Sequence, residues 1–296
     1  MPLVEKLPYT PWSERGAVVD GAFRWRLGVR PLDLRDWIEL GPDAEGPDGW
    51  IAEKERVLAE HHDTAFAVLD GIESAGQEVG VALVDHLRQR WPDRFGDVVL
   101  DSSRHPLEAA GRLVPEDLVV MVERNGRLVF GGGCVCFPNR WDLRSKLGGS
   151  MAEVHQPVAE LNDQLEHGVD GFLERLRPER SFWRLGWGII DLADGYTPVD
   201  GTGGPRPVDP DVSALFVRVE RETLRRFSES GCVLFTIRTY VAPITSVMVD
   251  EDSARALVDA VGAMSPDVLG YKDLAAHADA IALARASGGG SGIRPG

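Results

Sequence analysis

The amino-acid sequence predicts an α+β protein built around an antiparallel sheet. β-rich runs at 118–123 and 127–130 flank Asn125-Gly126, a dipeptide typical of the tight turn between antiparallel strands. Segments with apolar residues at helical spacing precede and follow this region. Strands joined by hairpins and flanked by helices are typical of the α+β class, and the alternation of strands and helices that indicates a Rossmann fold is missing.

Further strands and helices can be assigned in order along the chain. Strands are expected at 134–137, 183–190, 214–219 and 233–240. Helices are expected at 50–69, 77–90, 161–176, 253–264 and 271–285. The helix at 77–90 ends before Trp91-Pro92, because the residue that precedes a proline resists the helical conformation. The glycines at 131–133 lie between two strands, where a bulge or a tight turn is expected.

The chain divides into three parts by composition. Residues 1–50 are rich in Pro, Trp and Asp, and are expected to pack on the body of the protein. Residues 50–285 are expected to form one α+β domain, and 286–296 a flexible Gly/Ser tail. Burial of large aromatic rings is expected to hold the first part in place. These rings belong to Trp12, Trp25, Trp37 and Trp50.

Composition and charge narrow the class of function. The 296 residues include 47 acidic and 32 basic side chains, a net charge of -15. This balance argues against nucleic acid and anionic membranes as partners, because both require a basic surface. It is explained either by solubility or by an acidic pocket for cationic substrates. No apolar run approaches the length of a membrane span, and no signal peptide is recognised, so a cytoplasmic location is expected.

Generic motifs identify no active site. The sequence contains no phosphate-binding loop, no nucleophile elbow and no zinc-protease motif, and its three cysteines form no CxxC pair. His155 stands out because Pro157 ends the turn in which it lies and so restricts its orientation. A fixed imidazole suits an axial metal ligand. The residues alone leave open whether His155 is such a ligand or a structural histidine.

A set of stretches, which together cover roughly residues 25 to 245, resembles the haem-dependent oxidative N-demethylase family. The stretches are 27–32, 54–61, 90–95, 113–118, 136–148, 155–158, 187–189, 218–224 and 235–240. The most specific are CFPNRWDLRSKLG at 136–148 and FTIRTY at 235–240. The family's haem domain is PAS-like, so the resemblance implies a sheet of PAS-like character between N-terminal and C-terminal helices. Where the family often has Asn, this chain has Gly186, so any contact made by that Asn is missing or replaced.

The resemblance implies that residues 50–285 bind haem b, with His155 as the axial ligand of the iron. Arginine and lysine side chains are the natural partners of the two haem propionates. The candidates for this role are Arg238, Lys146, Arg140 and Arg144. Aromatic residues of these stretches, Trp141 and Trp187, are expected to line the porphyrin, although a role in the core is the common alternative for such residues.

The resemblance further implies an oxidoreductase that uses O2. The expected function is a haem-dependent monooxygenase that hydroxylates the nitrogen of an amino acid such as L-arginine in a biosynthetic pathway. The alternatives are oxidative N-demethylation of a secondary amine with release of formaldehyde, and a haem sensor without turnover. No flavin or iron–sulfur motif is present, so a separate electron donor is expected.

Three residues are expected to act on oxygen or substrate. Thr239 and Tyr240 could donate hydrogen bonds on the distal side, and strand alternation allows only one of them to face the pocket. A cationic amine needs a carboxylate nearby, because a buried charge must be paired. Glu220 is the first choice, ahead of Glu116, Asp117 and Glu222. A salt bridge to a neighbouring arginine is the alternative role for Glu220.

Overall fold

A seven-stranded antiparallel sheet is the central element of the computed structural model, and the α+β prediction is therefore confirmed. The structure describes residues 3–14, 18–41, 46–47, 49–158, 160–199, 211–272, 274–275, 277–278 and 281–282. The expected tail at 286–296 lies outside these residues. None of the helices in the described part of the chain is long and apolar enough to cross a membrane.

The strands of the sheet do not follow one another in chain order. They are β3 (Arg30–Leu32), β4 (Phe66–Val68), β5 (Asp117–Arg124), β6 (Arg127–Cys134), β7 (Ser181–Ile190), β8 (Phe216–Arg226) and β9 (Val233–Pro243). Their order across the sheet is β3-β7-β8-β9-β5-β6-β4. A separate small hairpin is formed by β1 (Val18–Val19) and β2 (Ala22–Phe23). The long strands β7, β8 and β9 therefore lie side by side, and they provide most of the surface on which a site can be built.

Helices cover both faces of the sheet. They are α1 (Trp50–Glu60), α2 (His62–Ala65), α3 (Glu73–Arg90), α4 (Pro92–Phe95), α5 (Pro106–Gly111), α6 (Met151–His155), α7 (Leu161–Arg175), α8 (Ile244–Val247), α9 (Glu251–Gly262) and α10 (Pro266–Tyr271). The end of α3 at Arg90 and the span of α7 agree with the sequence predictions. At the C-terminus, α10 ends at Tyr271, where the sequence predicts a helix to begin.

The two faces of the sheet carry different layers. We call the face of Phe182, Leu224 and Phe235 the front face, because these residues pack against α6 and α7. The back face carries Val219 and Tyr240, and packs against α9 in its β7–β9 half. In the other half the back face packs against α3. Successive residues of a strand point to opposite faces, so this assignment fixes the direction of every side chain on β7–β9.

The predicted hairpin between β5 and β6 is confirmed. Asn125 and Gly126 have φ values of 52° and 76°, the left-handed conformation that a two-residue turn of this kind requires. The predicted bulge is confirmed as well. Val120 of β5 pairs with Gly132 of β6, and the next residue, Met121, pairs with Phe130. One glycine of β6 therefore has no partner on β5.

The predicted helix at 50–69 is wrong in its second half. The chain forms α1 and α2, and then Phe66–Val68 becomes the edge strand β4, which pairs with β6 from Gly132 to Cys134. The apolar residues at helical spacing in this segment are explained by burial of both the helix and the strand. The predicted strand at 134–137 is also shorter than expected, because β6 ends at Cys134.

Most of the tryptophans in the N-terminal part are buried. Trp12, Trp37 and Trp50 are each 2% exposed or less. Trp25 is half-buried. Each fully buried ring removes a large apolar surface from water, which holds a segment that has little regular structure of its own.

The pairing of β4 with β6 predicts a strong effect of a methyl group at Gly132. This residue has φ +144°, and an added Cβ would lie 2.4 Å from the Ala67 carbonyl oxygen and 2.5 Å from the Val68 Cα. We expect Gly132→Ala to lower the free energy of unfolding by about 3 kcal/mol, measured by urea denaturation. The control Gly168→Ala, where an added Cβ meets no atom within 4 Å, should raise it by about 0.5–1 kcal/mol. Equal stabilities of the two variants would contradict the described pairing.

Candidate functional site

Polar side chains gather on the front face, where α6 and α7 approach β7 and β8. Ion pairs, hydrogen bonds and electrostatic interactions connect them from one to the next. They are Lys146, His155, Arg184, Arg218, Glu220 and Glu222. Charged groups on a half-buried surface must be paired or must bind something, so this is the candidate functional site.

The short helix α6 fixes His155. The Ser150 hydroxyl accepts a hydrogen bond from the Glu153 amide, and the Glu153 carboxylate accepts one from the Ser150 amide, which together form a capping box. Met151 and Val154 pack into the apolar layer between the helices and the sheet. The helix ends at His155, two residues before the proline that cannot continue it. The histidine therefore has both its backbone and its neighbours held in place.

The imidazole of His155 is uncharged at neutral pH. Its pKa is lowered to about 4, chiefly by burial and also by the positive charges of Arg184 and Lys146, while a hydrogen bond to the Met151 backbone opposes them. A ring that donates one N–H to a carbonyl presents its other nitrogen as a lone pair, which is the arrangement of a metal-ligating histidine.

Two cations flank His155. Lys146 Nζ donates a hydrogen bond to the Val154 carbonyl at 2.8 Å, and burial lowers the pKa of this lysine. Arg184, on β7, forms an ion pair with Glu222 on β8, with 3.1 Å between Nε and Oε2. Because cross-strand neighbours share a face, Arg184 and Glu222 both project to the front.

Glu220 and Glu222 lie over Gly186. A Cβ on this glycine would lie 2.9 Å from Glu222 Oε1 and 3.5 Å from Glu220 Oε2, so the missing side chain leaves the room that the carboxylates use. Burial raises the pKa of Glu222 to about 7; the charge of Arg184 opposes this effect, and the Glu220 carboxylate adds to it. Glu222 therefore changes charge near neutral pH, which suits a group that exchanges protons.

The buried side chain of Arg218 donates a hydrogen bond to Glu220. Arg218 Nε donates to Glu220 Oε1 at 2.8 Å, and Nη2 donates to Thr239 Oγ1 at 3.0 Å and to the Phe137 carbonyl at 2.5 Å. Its Nη1 has no hydrogen-bond partner among the described residues, although the side chain is only 2% exposed. A buried donor without a partner is costly, which is typical of a site that binds an acceptor.

The front face is closed beside His155 and open farther along β7. A narrow crevice borders His155 between α6 and α7, with no room for a water molecule, and Leu161, Asn162 and Val169 are among its lining residues. This is smaller than the about 300–1,000 Å³ of most small-molecule sites. On β7, however, a Cβ at Gly188 would meet no atom within 4 Å, so the front face is open at that position.

The structure places Arg238 and Tyr240 on the back face, away from His155. Arg238 is fully buried and binds the Glu5 carboxylate, with 3.2 Å between Nη1 and Oε1. The Tyr240 hydroxyl donates to Glu39, and the Arg238 guanidinium lies 4.3 Å from the centroid of its ring. These contacts favour structural roles for both residues. Thr239 lies on the front face beside Arg218, so one residue of the Thr239-Tyr240 pair does face the site.

The other predicted haem partners are spread around the site. Arg140 pairs with Asp191, and Arg144 is exposed in a short 3-10 helix. Trp141 packs against Phe130 in the front layer, with 6.4 Å between ring centroids. Trp187 belongs to the layer of the back face. Of the predicted propionate partners, Lys146 is the one that interacts electrostatically with His155.

A comparison with known families gives a match over most of the chain. The model of the family described as haem-dependent oxidative N-demethylase, alpha subunit-like, matches residues 28–282. The chain belongs to this family. The match includes every strand of the seven-stranded sheet and the segment of His155, so the family resemblance predicted from the sequence is confirmed. The family description indicates a haem-dependent oxidative enzyme.

The residues of the front face fit a haem by their chemistry. A haem needs an axial ligand for its iron and cations for its two propionate groups. A neutral His155, with Lys146 and Arg184 beside it, provides these groups. The unpartnered Nη1 of Arg218 and the open face at Gly188 add an unused donor and space.

Sequence reasoning missed two residues of this site. Arg184 was not distinguished from other charged residues, because it belongs to no motif. The signal that could have revealed it is strand alternation, since Arg184, Gly186 and Gly188 share a face. Arg218 was included in a family block without a role, and its burial became visible only in the structure.

The raised pKa of Glu222 predicts how stability depends on pH. The folded protein holds this proton up to about pH 7, and the unfolded chain loses it near the ordinary value of 4.5. The stability that Glu222 contributes is therefore fully present below pH 4.5 and is lost as pH rises through 7, by about 3 kcal/mol. Glu222→Gln should remove this loss, so the variant should gain on the wild type between pH 5 and pH 8 in urea unfolding.

Glu123→Gln is the matched control, because Glu123 is exposed on β5. A stability difference that does not change with pH would contradict the assignment of a protonated Glu222.

Proposed function

We propose that this protein is a haem-dependent monooxygenase that oxidises the nitrogen of a small amine or guanidine cation. The best candidate reaction is N-hydroxylation of an amino acid such as L-arginine in a biosynthetic pathway. The observation that carries the proposal is the neutral His155 beside two cations, on the same face as a pair of carboxylates. Family membership supports the haem, and the carboxylates support the cationic substrate.

In this proposal His155 would hold the iron of haem b. The Met151 backbone orients the ring, and burial keeps it uncharged, so no proton has to leave before it binds iron. Lys146 and Arg184 would hold the propionates through charge-assisted hydrogen bonds. When bound, the haem supplies binding and activation of O2 at its iron. The haem-binding unit is residues 50–285, with PAS-like character.

Glu220 and Glu222 bind and orient the substrate cation. Glu220 is already held by Arg218 at 2.8 Å, so it is a fixed acceptor. Glu222 has a pKa of about 7, so it can take up or release a proton at its carboxylate when a cation arrives. The burial of Glu222 excludes water and strengthens its attraction for the cation.

Electrons for the reaction come from a separate protein. The family description names an alpha subunit, which supports partners that supply other parts of the reaction. The three cysteines are all free and buried, which supports a reducing cytoplasmic setting.

Oxidative N-demethylation is the second candidate, and the family description favours it directly. It would use the same face, since a protonated secondary amine also pairs with a carboxylate. The two reactions differ in the atom that is oxidised, the nitrogen or the carbon of an N-methyl group.

Spectroscopy of His155→Ala tests the haem site. The wild type, expressed with sufficient haem, should show a Soret band, and His155→Ala should lose or strongly shift it because the axial ligand is gone. His86→Ala is the matched control. Burial also lowers the pKa of His86 to about 4, but this residue lies on α3, where it packs against Trp37 and Trp91. An identical band in His155→Ala and the wild type would show that another residue binds the iron.

Product analysis separates the two reactions. We expect purified holoprotein, incubated with L-arginine, a reducing system and O2, to form an N-hydroxylated product without formaldehyde. Glu222→Gln should lower kcat/KM by about tenfold to a hundredfold, because one carboxylate is lost. Formaldehyde from N-methylated amines, with no hydroxylated nitrogen product, would reject N-hydroxylation in favour of demethylation. A Soret band without turnover of any amine would favour a haem sensor.

A further inference from the structure

Two tryptophan rings enclose an ammonium group at the edge of the sheet. Lys272 Nζ lies 5.1 Å from the centroid of the Trp25 ring and 5.5 Å from that of Trp187. It donates a hydrogen bond to the Trp187 carbonyl at 3.0 Å. We call the two rings and this carbonyl the tryptophan cleft. A cation within about 6 Å of an indole face is attracted by the ring electrons.

The walls of the tryptophan cleft are held without help from Lys272. Trp187 is part of β7, paired with Val219, and its ring packs on Trp12 at 5.8 Å. The Trp25 amide donates to Gln164 Oε1 of α7 at 3.0 Å, and its ring packs on Phe23 at 5.2 Å. The cleft is therefore a preformed site for a cation, and the lysine is one possible occupant.

Lys272 is an unusual occupant because no acidic group lies within ion-pair distance of its ammonium in the described part of the chain. Glu220 interacts electrostatically with the ammonium, and the carboxylate of Glu220 accepts a hydrogen bond from Arg218 at 2.8 Å. Burial lowers the pKa of Lys272 to about 8, with Glu220 opposing this effect. The ammonium of Lys272 loses water contacts and gains two ring contacts and one hydrogen bond to a carbonyl. Its displacement by another cation therefore requires only a moderate free energy.

The tryptophan cleft adjoins the candidate active site through Glu220. This carboxylate lies 3.5 Å from the position of a Gly186 Cβ on the front face, and it also acts on Lys272 and Tyr271 at the edge. A cation in the cleft is thus attracted by the same glutamate that is proposed to bind the reacting amine.

We propose that the tryptophan cleft is an outer binding site for alkylammonium cations, which Lys272 occupies until an amine displaces it. The inference rests on the proposed function for its substrate class. The Trp187 carbonyl requires an N–H donor, so the cleft prefers protonated primary, secondary and tertiary amines over quaternary ammonium ions. Lys272 acts as an internal competitor that lowers the affinity for these amines.

Binding of dimethylammonium chloride to the full-length protein tests the proposal without turnover. Calorimetry and tryptophan emission give the dissociation constant, with sodium chloride at equal ionic strength as the blank. Lys272→Met keeps the apolar stem and removes the charge, so it should bind the probe about tenfold tighter than the wild type. Trp25→Leu in the Lys272→Met background should remove this gain. Tetramethylammonium chloride, which has no N–H, should bind Lys272→Met several-fold more weakly than dimethylammonium.

Lys6→Met and Trp91→Leu are the matched controls, because Lys6 is exposed and Trp91 packs on Phe95 beside α4. Neither should change the affinity. Equal affinities of the wild type and Lys272→Met overturn the proposal, and a large drop in the unfolding midpoint would then assign Lys272 a purely structural role. If Lys272→Met does not fold, Trp25→Phe in the wild type replaces it, and unchanged binding in that variant overturns the proposal.

The outcomes for the cleft and for the enzyme are separable. Binding of dimethylammonium needs neither reductant nor O2, so it can be positive when no product forms. Loss of the Soret band in His155→Ala together with unchanged amine affinity in Lys272→Met would support the haem site and reject the cleft.

Discussion

Two buried arginines on the back face hold the N-terminal segment against the sheet. Arg238 binds Glu5 with 3.2 Å between Nη1 and Oε1, and Arg221 binds Glu39 with 3.1 Å between Nε and Oε1. Burial raises the pKa of the adjacent Glu116, and its carboxyl accepts a hydrogen bond from the Glu39 amide. Removing one partner of such a pair leaves an unpaired buried charge and costs about 3–5 kcal/mol. The positions of β8 and β9, and of everything they carry to the front, depend on this network.

Because successive side chains of a strand point to opposite faces, β8 and β9 place charged residues on both faces of the sheet. On β8, Arg221 points back and its neighbours Glu220 and Glu222 point forward; on β9, Arg238 points back and Thr239 forward. A change in the pairing register of one residue would exchange these sets. The charges on the back face therefore do more than stabilise the fold, because they fix which carboxylates reach the candidate site.

The same alternation explains what could be predicted from the sequence. The β5–β6 hairpin and the end of α3 are determined by local signals, a dipeptide in the left-handed conformation and a proline, and both were predicted. Strand β8 is longer than predicted because its charged residues resemble a surface segment, whereas Arg218, Arg221 and Glu222 are buried by long-range pairing. His155 and Lys146 come together because they lie on one local segment. Arg238 was assigned to a haem propionate, and Tyr240 to oxygen or substrate, from their block alone. Only the register shows that they point to the other face.

Position 186 shows how the site of this chain differs from the usual family pattern. The resemblance places Asn at this position in many members, and here a side chain of any size would meet the Glu222 carboxylate at 2.9 Å. The room that an asparagine would fill is used by Glu220 and Glu222 from the next strand. An amide offers both a donor and an acceptor, whereas two carboxylates offer acceptors and negative charge. Where the family pattern has a neutral amide, this chain therefore presents acidic side chains, which is the chemistry that the proposed cationic substrate requires.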